Sequence, residues 1–99
     1  MSSRVFQSVV LQLKESTSRT IGVIDANGAV VACSELSRIG ETLPNSVEAI
    51  SAEHGGLVVQ NGNTFKTLNG LGAQFDYAVF TSGEDDLAGT ICSMSAVAL

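Results

Sequence analysis

Val5, Phe6, Val9, Val10 and Leu13 recur at the i, i+4, i+8 spacing of one helical face with its neighbour. Arg4, Gln7, Ser8, Gln12, Lys14 and Glu15 supply a wet side, so the pattern predicts an amphipathic first helix over about 3–16. Ser2 or Ser3 can cap its start, and Ser16-Thr17-Ser18 ends it. Two runs rich in β-branched residues follow, at about 19–25 and 29–34, on either side of Ala26-Asn27-Gly28. Asn-Gly between apolar runs is a strong hairpin signal, because a tight turn of this kind asks both central residues for φ > 0. Both runs are apolar on both faces: Ile21 and Val23 against Gly22 and Ile24, then Val30 and Ala32 against Val31 and Cys33. Strands without clean alternation are usually covered on both sides.

Residues 34–40 are polar and small and predict an irregular or helical turn. Asn45 and Glu48 have the spacing of a capping box after Pro44, which predicts a short second helix. It carries Val47 and Ile50 inward and stops at Gly55-Gly56, with His54 in its last turn. Strands are predicted at 57–60, 64–68 and 75–81, the first two joined by a tight turn at Asn61-Gly62-Asn63. Ser82-Gly83-Glu84-Asp85 offers a second capping box. The acidic triplet Glu84, Asp85 and Asp86 stands where a helix dipole favours it. The last helix is predicted over 84–99, with stripes at Leu87, Ile91, Met94 and Ala98 and at Ala88, Cys92, Ser95 and Leu99. No glycine, proline or basic residue closes it before Leu99, so the expectation is a domain excised from a longer chain.

The fold class expected is therefore α+β: one antiparallel five-stranded sheet with flanking helices, mainly on one side, in the order α-β-β-α-β-β-β-α. That order is shared by PAS, GAF, Cache, roadblock and profilin-like modules, and it does not by itself select a function. Ninety-nine residues suit one domain with one core. Apolar residues make up 44% and charged ones 15%, which excludes a disordered chain and leaves little polar surface, so self-association or a covering neighbour is expected. A net charge of −5 repels a phosphate backbone, and direct nucleic-acid binding by this segment is not expected. The N-terminus lacks the apolar core of a signal peptide and no apolar run is long enough for a membrane span, so the chain is expected to be cytoplasmic. Cys33 and Cys92 stand far apart among small apolar residues with no zinc-ligand spacing, and read as two buried thiols.

The run Val23-Ile24-Asp25-Ala26-Asn27-Gly28-Ala29-Val30-Val31-Ala32-Cys33-Ser34, with Ser37-Arg38-Ile39-Gly40 after it, resembles the N-terminal sensing region of bacterial transcription regulators of the carbohydrate diacid regulator and purine catabolism regulator type. That region often reads as an Asp-x-x-Gly hairpin, a small residue and then Arg-Ile-Gly. Phe65-Lys66-Thr67-Leu68 and Gln74-Phe75-Asp76-Tyr77-Ala78-Val79-Phe80 are similar to stretches of the same group. After Arg-Ile-Gly the chain has Glu41-Thr42-Leu43-Pro44, where diacid-sensing members usually have a histidine and small residues. The resemblance implies a sensor and dimerisation domain over 1–99 that signals to a C-terminal helix-turn-helix domain outside this chain. A homodimer through the terminal helices and a small anionic metabolite are the partners it implies, with no cofactor. The alternative is a roadblock-type interaction module without a ligand.

Arg38 is the leading ligand-binding candidate, because a planar guanidinium pairs with a carboxylate through two hydrogen bonds. A surface ion pair with Glu35 or Glu41 would equally account for it. Lys66 and Tyr77 could face a common pocket with Ser34, or serve as a snorkelling strand residue and a half-buried core aromatic. His54 reads as a helix-terminal residue. No serine or cysteine has a base partner that would make it a nucleophile, so an enzyme is not expected. Gly70-Leu71-Gly72 precedes a strand, which is the wrong order for a phosphate cradle.

Overall fold

The first helix, α1 (Ser3–Lys14), forms where the apolar spacing predicts it, and it buries Phe6 and Val10 completely while Val5 stays exposed. In the computed structural model, which describes residues 3–53, 56–68 and 75–99, the elements after it are β1 (Ile21–Asp25), β2 (Val30–Cys33), a 3-10 turn (Leu36–Arg38), α2 (Ser46–Ala52), β3 (Val58–Gln60), β4 (Asn63–Thr67), β5 (Tyr77–Ser82) and α3 (Asp86–Ala98). His54, Gly55 and the Gly70-Leu71-Gly72 connection lie outside the described residues, as does Ser2. The architecture is α+β, a five-stranded antiparallel sheet in the order β2-β1-β5-β4-β3 with three flanking helices. No helix among the described residues is long and apolar enough to cross a membrane.

Strand alternation divides the core in two. Ile21, Val23, Ala32 and Val79 pack under α1 and α3 with Phe6, Val10 and Cys92. Ile24, Val30, Cys33, Phe65, Ala78 and Phe80 pack on the opposite face beneath α2, which brings Ile50 and Val47. That accounts for the unbroken apolar reading of β1 and β2: each face of the sheet has its own helical cover. Cys33 and Cys92 are free, buried and on opposite faces.

The β1–β2 connection is the three residues Ala26-Asn27-Gly28, as expected, but only one of the two central residues takes the positive φ expected of both. Gly28 has φ +82, but Asn27 is not among the residues with positive φ. Gly28 N–H donates to Asp25 O and Asp25 N–H to Ala29 O, while the Asp25 carboxylate accepts from Asn27 N–H at 2.8 Å and Ala29 N–H at 3.1 Å. Asp25 thus stabilises the three-residue loop, and farther along the pairing the register shifts between Val23 and Ile24, where Val31 of β2 is left without a cross-strand partner in β1. The β3–β4 turn does follow the Asn-Gly rule, with Asn61 at φ 52 and Gly62 at φ 83.

Both predicted capping boxes are corrected. Asn45 precedes α2 in the left-handed region (φ 65), where its side chain makes no cap hydrogen bond. Ser46 Oγ instead donates to Leu43 O at 2.8 Å. At α3 the cap is Asp85, whose carboxylate accepts from Ala88 N–H, because Ser82 still belongs to β5 and its hydroxyl accepts from Thr20 N–H. The stripe Ala88, Cys92 and Ser95 faces the sheet, so Leu87 and Met94 of the other stripe are exposed, 55% and 67%.

Candidate functional site

The segment after β2 is held to the sheet by main-chain hydrogen bonds that carry Arg38 back over it. Gly40 N–H donates to Val30 O at 2.9 Å, Val30 N–H to Glu41 O at 2.8 Å and Leu43 N–H to Gly28 O at 2.9 Å. Gly40 takes φ +96, a conformation that a side chain would strain, which lets the chain turn back along β2. Arg38, in the 3-10 turn, then stacks its guanidinium 5.4 Å from the centroid of the Phe80 ring. Below that ring lies Gly22, the cross-strand partner of Phe80. A Cβ on Gly22 would come within 2.4 Å of the ring, so only glycine leaves the aromatic room to lie there.

Of the two carboxylates that could hold Arg38, Glu41 does so and Glu35 accepts from the Thr20 hydroxyl instead. The Arg38–Glu41 contacts are long, 3.2 Å from Nη2 and 3.4 Å from Nε, and Glu41 is half exposed. Charge-assisted hydrogen bonds normally close to about 2.7–2.9 Å. The pair is a loose one, and a competing anion has little to displace.

Arg38 and Glu41 form one wall of a cleft of about 330 Å³ on the α2 face of the sheet. Leu43, Pro44 and Phe65 give it apolar surface, and Gln60, Asn61 and Asn63 of the β3–β4 hairpin supply amides to the lining. Gln60 Oε1 is buried beside it with no hydrogen-bond partner among the described residues. An unpaired buried acceptor costs about 1–3 kcal/mol and is relieved by any donor that reaches it. One guanidinium, one unpartnered acceptor just beneath the lining and an apolar floor suit a small polar or anionic molecule.

Only one of the four expected binding residues lines this cleft. Lys66 and Tyr77 lie on the other face: Lys66 pairs with Val79 across the strands, and the Tyr77 ring meets Phe6 of α1 edge-on at 4.9 Å. Ser34 is buried and its hydroxyl accepts from Ile21 N–H at 3.0 Å, closing the β1–β2 pairing. Tyr77 is thus a core aromatic and Ser34 a strand-end clamp. Gln60, Asn61 and Asn63 were not among the expected binding residues: the sequence marks Gln60 only as a strand end and Asn61 and Asn63 only as turn residues. Among the described residues no cluster of histidine, cysteine and carboxylate side chains could hold a metal ion.

No protein-family model matches this chain, and the searches of curated proteins and of solved structures likewise found no match.

Proposed function

We propose that this chain is the N-terminal small-molecule sensing and dimerisation domain of a cytoplasmic bacterial transcription regulator, with the Arg38 cleft as its ligand site. The observation that carries the reading is the loosely paired Arg38 guanidinium in a cleft that also holds the unpartnered Gln60 Oε1. A sheet with a short helix and loop over one face, in general terms a PAS-like arrangement, supports it at the level of fold. The ligand is a small metabolite with an anionic group for Arg38 and an N–H or O–H donor for Gln60. Dimerisation would use α1 and α3, where Val5, Leu11, Leu87 and Val97 are exposed apolar residues on the outside of the fold. Those same exposed residues favour a second reading, a roadblock-type interaction module with no ligand.

Thermal denaturation against a panel of dicarboxylates and purine metabolites separates the two. A ligand at about 100 times its dissociation constant stabilises the fold by about 2.7 kcal/mol. The sensor reading expects a panel member to do this for the native chain and for Glu41→Gln, and to lose the effect in Arg38→Ala and Gln60→Leu. Stabilisation that persists in Arg38→Ala, or none from any panel member, moves the reading to the interaction module.

A further inference from the structure

The two edges of the sheet are finished differently. At β2 the outward main chain is paired twice, by the Gln7 side chain at Cys33 and by Gly40 and Glu41 at Val30. Beside β3 lies instead a groove of about 540 Å³, between that strand and α3, on the face away from the Arg38 cleft. Its strand-side wall, Leu57 just before β3 and Val59 within it, is apolar and open to solvent, the two exposed 43% and 51%. Its α3 wall is Asp86, Gly89, Thr90 and Ser93, the i, i+3, i+4, i+7 positions of one helical stripe, and Met94 lies at its rim. Gly89 keeps the wall low: a Cβ there would sit 3.2 Å from Leu57 Cδ1.

We propose that this groove docks an amphipathic helix from a protein partner, one that carries basic residues along the border of its apolar stripe. Two facts choose the occupant. The first is shape. In an antiparallel hairpin the paired residues alternate in their hydrogen bonding, so of the three residues of β3 only Val59 turns its main chain outward. One residue is a poor template for an added strand. The small stripe of α3 spans about two turns and lets a second helix approach closely along it. That helix would continue the α1–α3 layer over the last uncovered strand.

The second is charge. Glu84, Asp85 and Asp86 border the groove, and among the described residues neither lysine nor arginine lines it. The Asp85 charge is matched by Arg19, but among the described residues Glu84 accepts from the Gly62 N–H with no cation against it, and Asp86 is exposed. A second copy of this chain, with net charge −5, would bring the same carboxylates to a shared interface, whereas a basic helix would meet them with opposite charge.

The probe is a synthetic peptide of leucine and lysine, about 15 residues long so that it can form a helix, with leucines at i, i+3, i+4 and i+7. Its leucine–glutamate counterpart is the control. Amide NMR shifts of the native chain are followed during titration, and fluorescence anisotropy gives affinities. The expected result is that the lysine peptide shifts Leu57, Val59, Thr90 and Met94 together, and that the glutamate peptide binds at least about tenfold more weakly. Val59→Lys and Thr90→Arg, at exposed positions, should each weaken the lysine peptide by about tenfold with their melting temperatures retained. Thr90→Arg tests the groove even if the strand variant folds poorly. Shifts that map elsewhere, unaltered affinity in Thr90→Arg, or equal binding of both peptides would overturn the proposal. So would shifts at Val59 and Thr90 that grow with protein concentration alone, since a second copy would then fill the groove.

Discussion

Gln7 meets the main chain of Cys33 with both ends of its amide, donating from Nε2 to the carbonyl at 2.9 Å and accepting from the N–H at 2.8 Å. Cys33 stands opposite Gly22 in the β1–β2 pairing, and its own N–H and carbonyl point away from β1 toward the free edge. Gln7 takes the place of the missing strand there.

Replacing Gln7 by leucine should therefore destabilise the fold by about 1–3 kcal/mol, because two main-chain groups lose their partner together. Gln7→Glu keeps the acceptor but sets a carboxylate oxygen against the Cys33 carbonyl, and should destabilise at least as much. Urea denaturation of the three proteins gives that order, and a Gln7→Leu chain as stable as the native one would show that water replaces the amide without cost.

Gly22→Ala should cost at least as much as an ordinary overpacked core, about 1–3 kcal/mol. The added methyl meets Phe80 ring carbons at 2.4 Å and Ala32 O at 2.9 Å, and neither the ring nor the strand has free space to yield. Because Arg38 rests on the same ring, the substitution should also disturb the cleft. Loss of the near-ultraviolet signature of Phe80, together with a lower urea midpoint, checks both effects.

Arg19 and Asp85 form a close two-bonded pair, 2.7 and 2.8 Å, and Arg19 Nη1 also reaches Ser82 O at 3.1 Å. The hydrogen bonds from Arg19 hold the Asp85 carboxyl well below its ordinary value, with the Ala88 N–H adding to the effect. A depressed pKa in the folded state stabilises above the unfolded value, near pH 4, and the contribution disappears as pH falls toward the folded value. Thermal melts of native and Asp85→Asn chains should differ at pH 7 and converge as pH drops below about 4. The pair is exposed, so the difference should be modest and should shrink with added salt.

Burial pushes the Cys92 thiol up to about 11, and the Cys33 thiol upward as well. Both should resist a thiol reagent at pH 8 until the chain unfolds. A raised pKa stabilises below the unfolded value, about 8.5, and the contribution is lost as pH rises toward the folded one. Native stability should consequently fall between about pH 8.5 and pH 11, and a Cys92→Ala chain should show a shallower decline. Equal alkaline slopes would indicate that the thiol ionises as readily in the folded state as in the unfolded one.

Much of the local structure was legible in the order of residues. The face of α1, the five strands, the turn at Asn61-Gly62 and the acidic start of α3 follow from periodicity and turn chemistry that act within a few residues. The errors share a cause. Asn45 and Ser82 satisfy the spacing of a capping box, but that motif requires a particular backbone conformation just before the helix. One residue is left-handed and the other is still paired in β5.

Residue order is enough to mark out the helices and strands and to place Arg38 in a turn beside a carboxylate. Which face each strand residue shows depends on how the strands are assembled. Side chains alternate along a strand, so neighbours such as Phe65 and Lys66, or Phe80 and Val79, point to opposite sides. That alternation separates Lys66 and Tyr77 from Arg38, and it brings Phe80 beneath the guanidinium and Gln60 into the cleft. It also turned Gln7 from the wet side of a helix into the partner of an edge strand. These outcomes depend on register and sheet order, which bring together residues dozens of positions apart, and no local pattern encodes that distance.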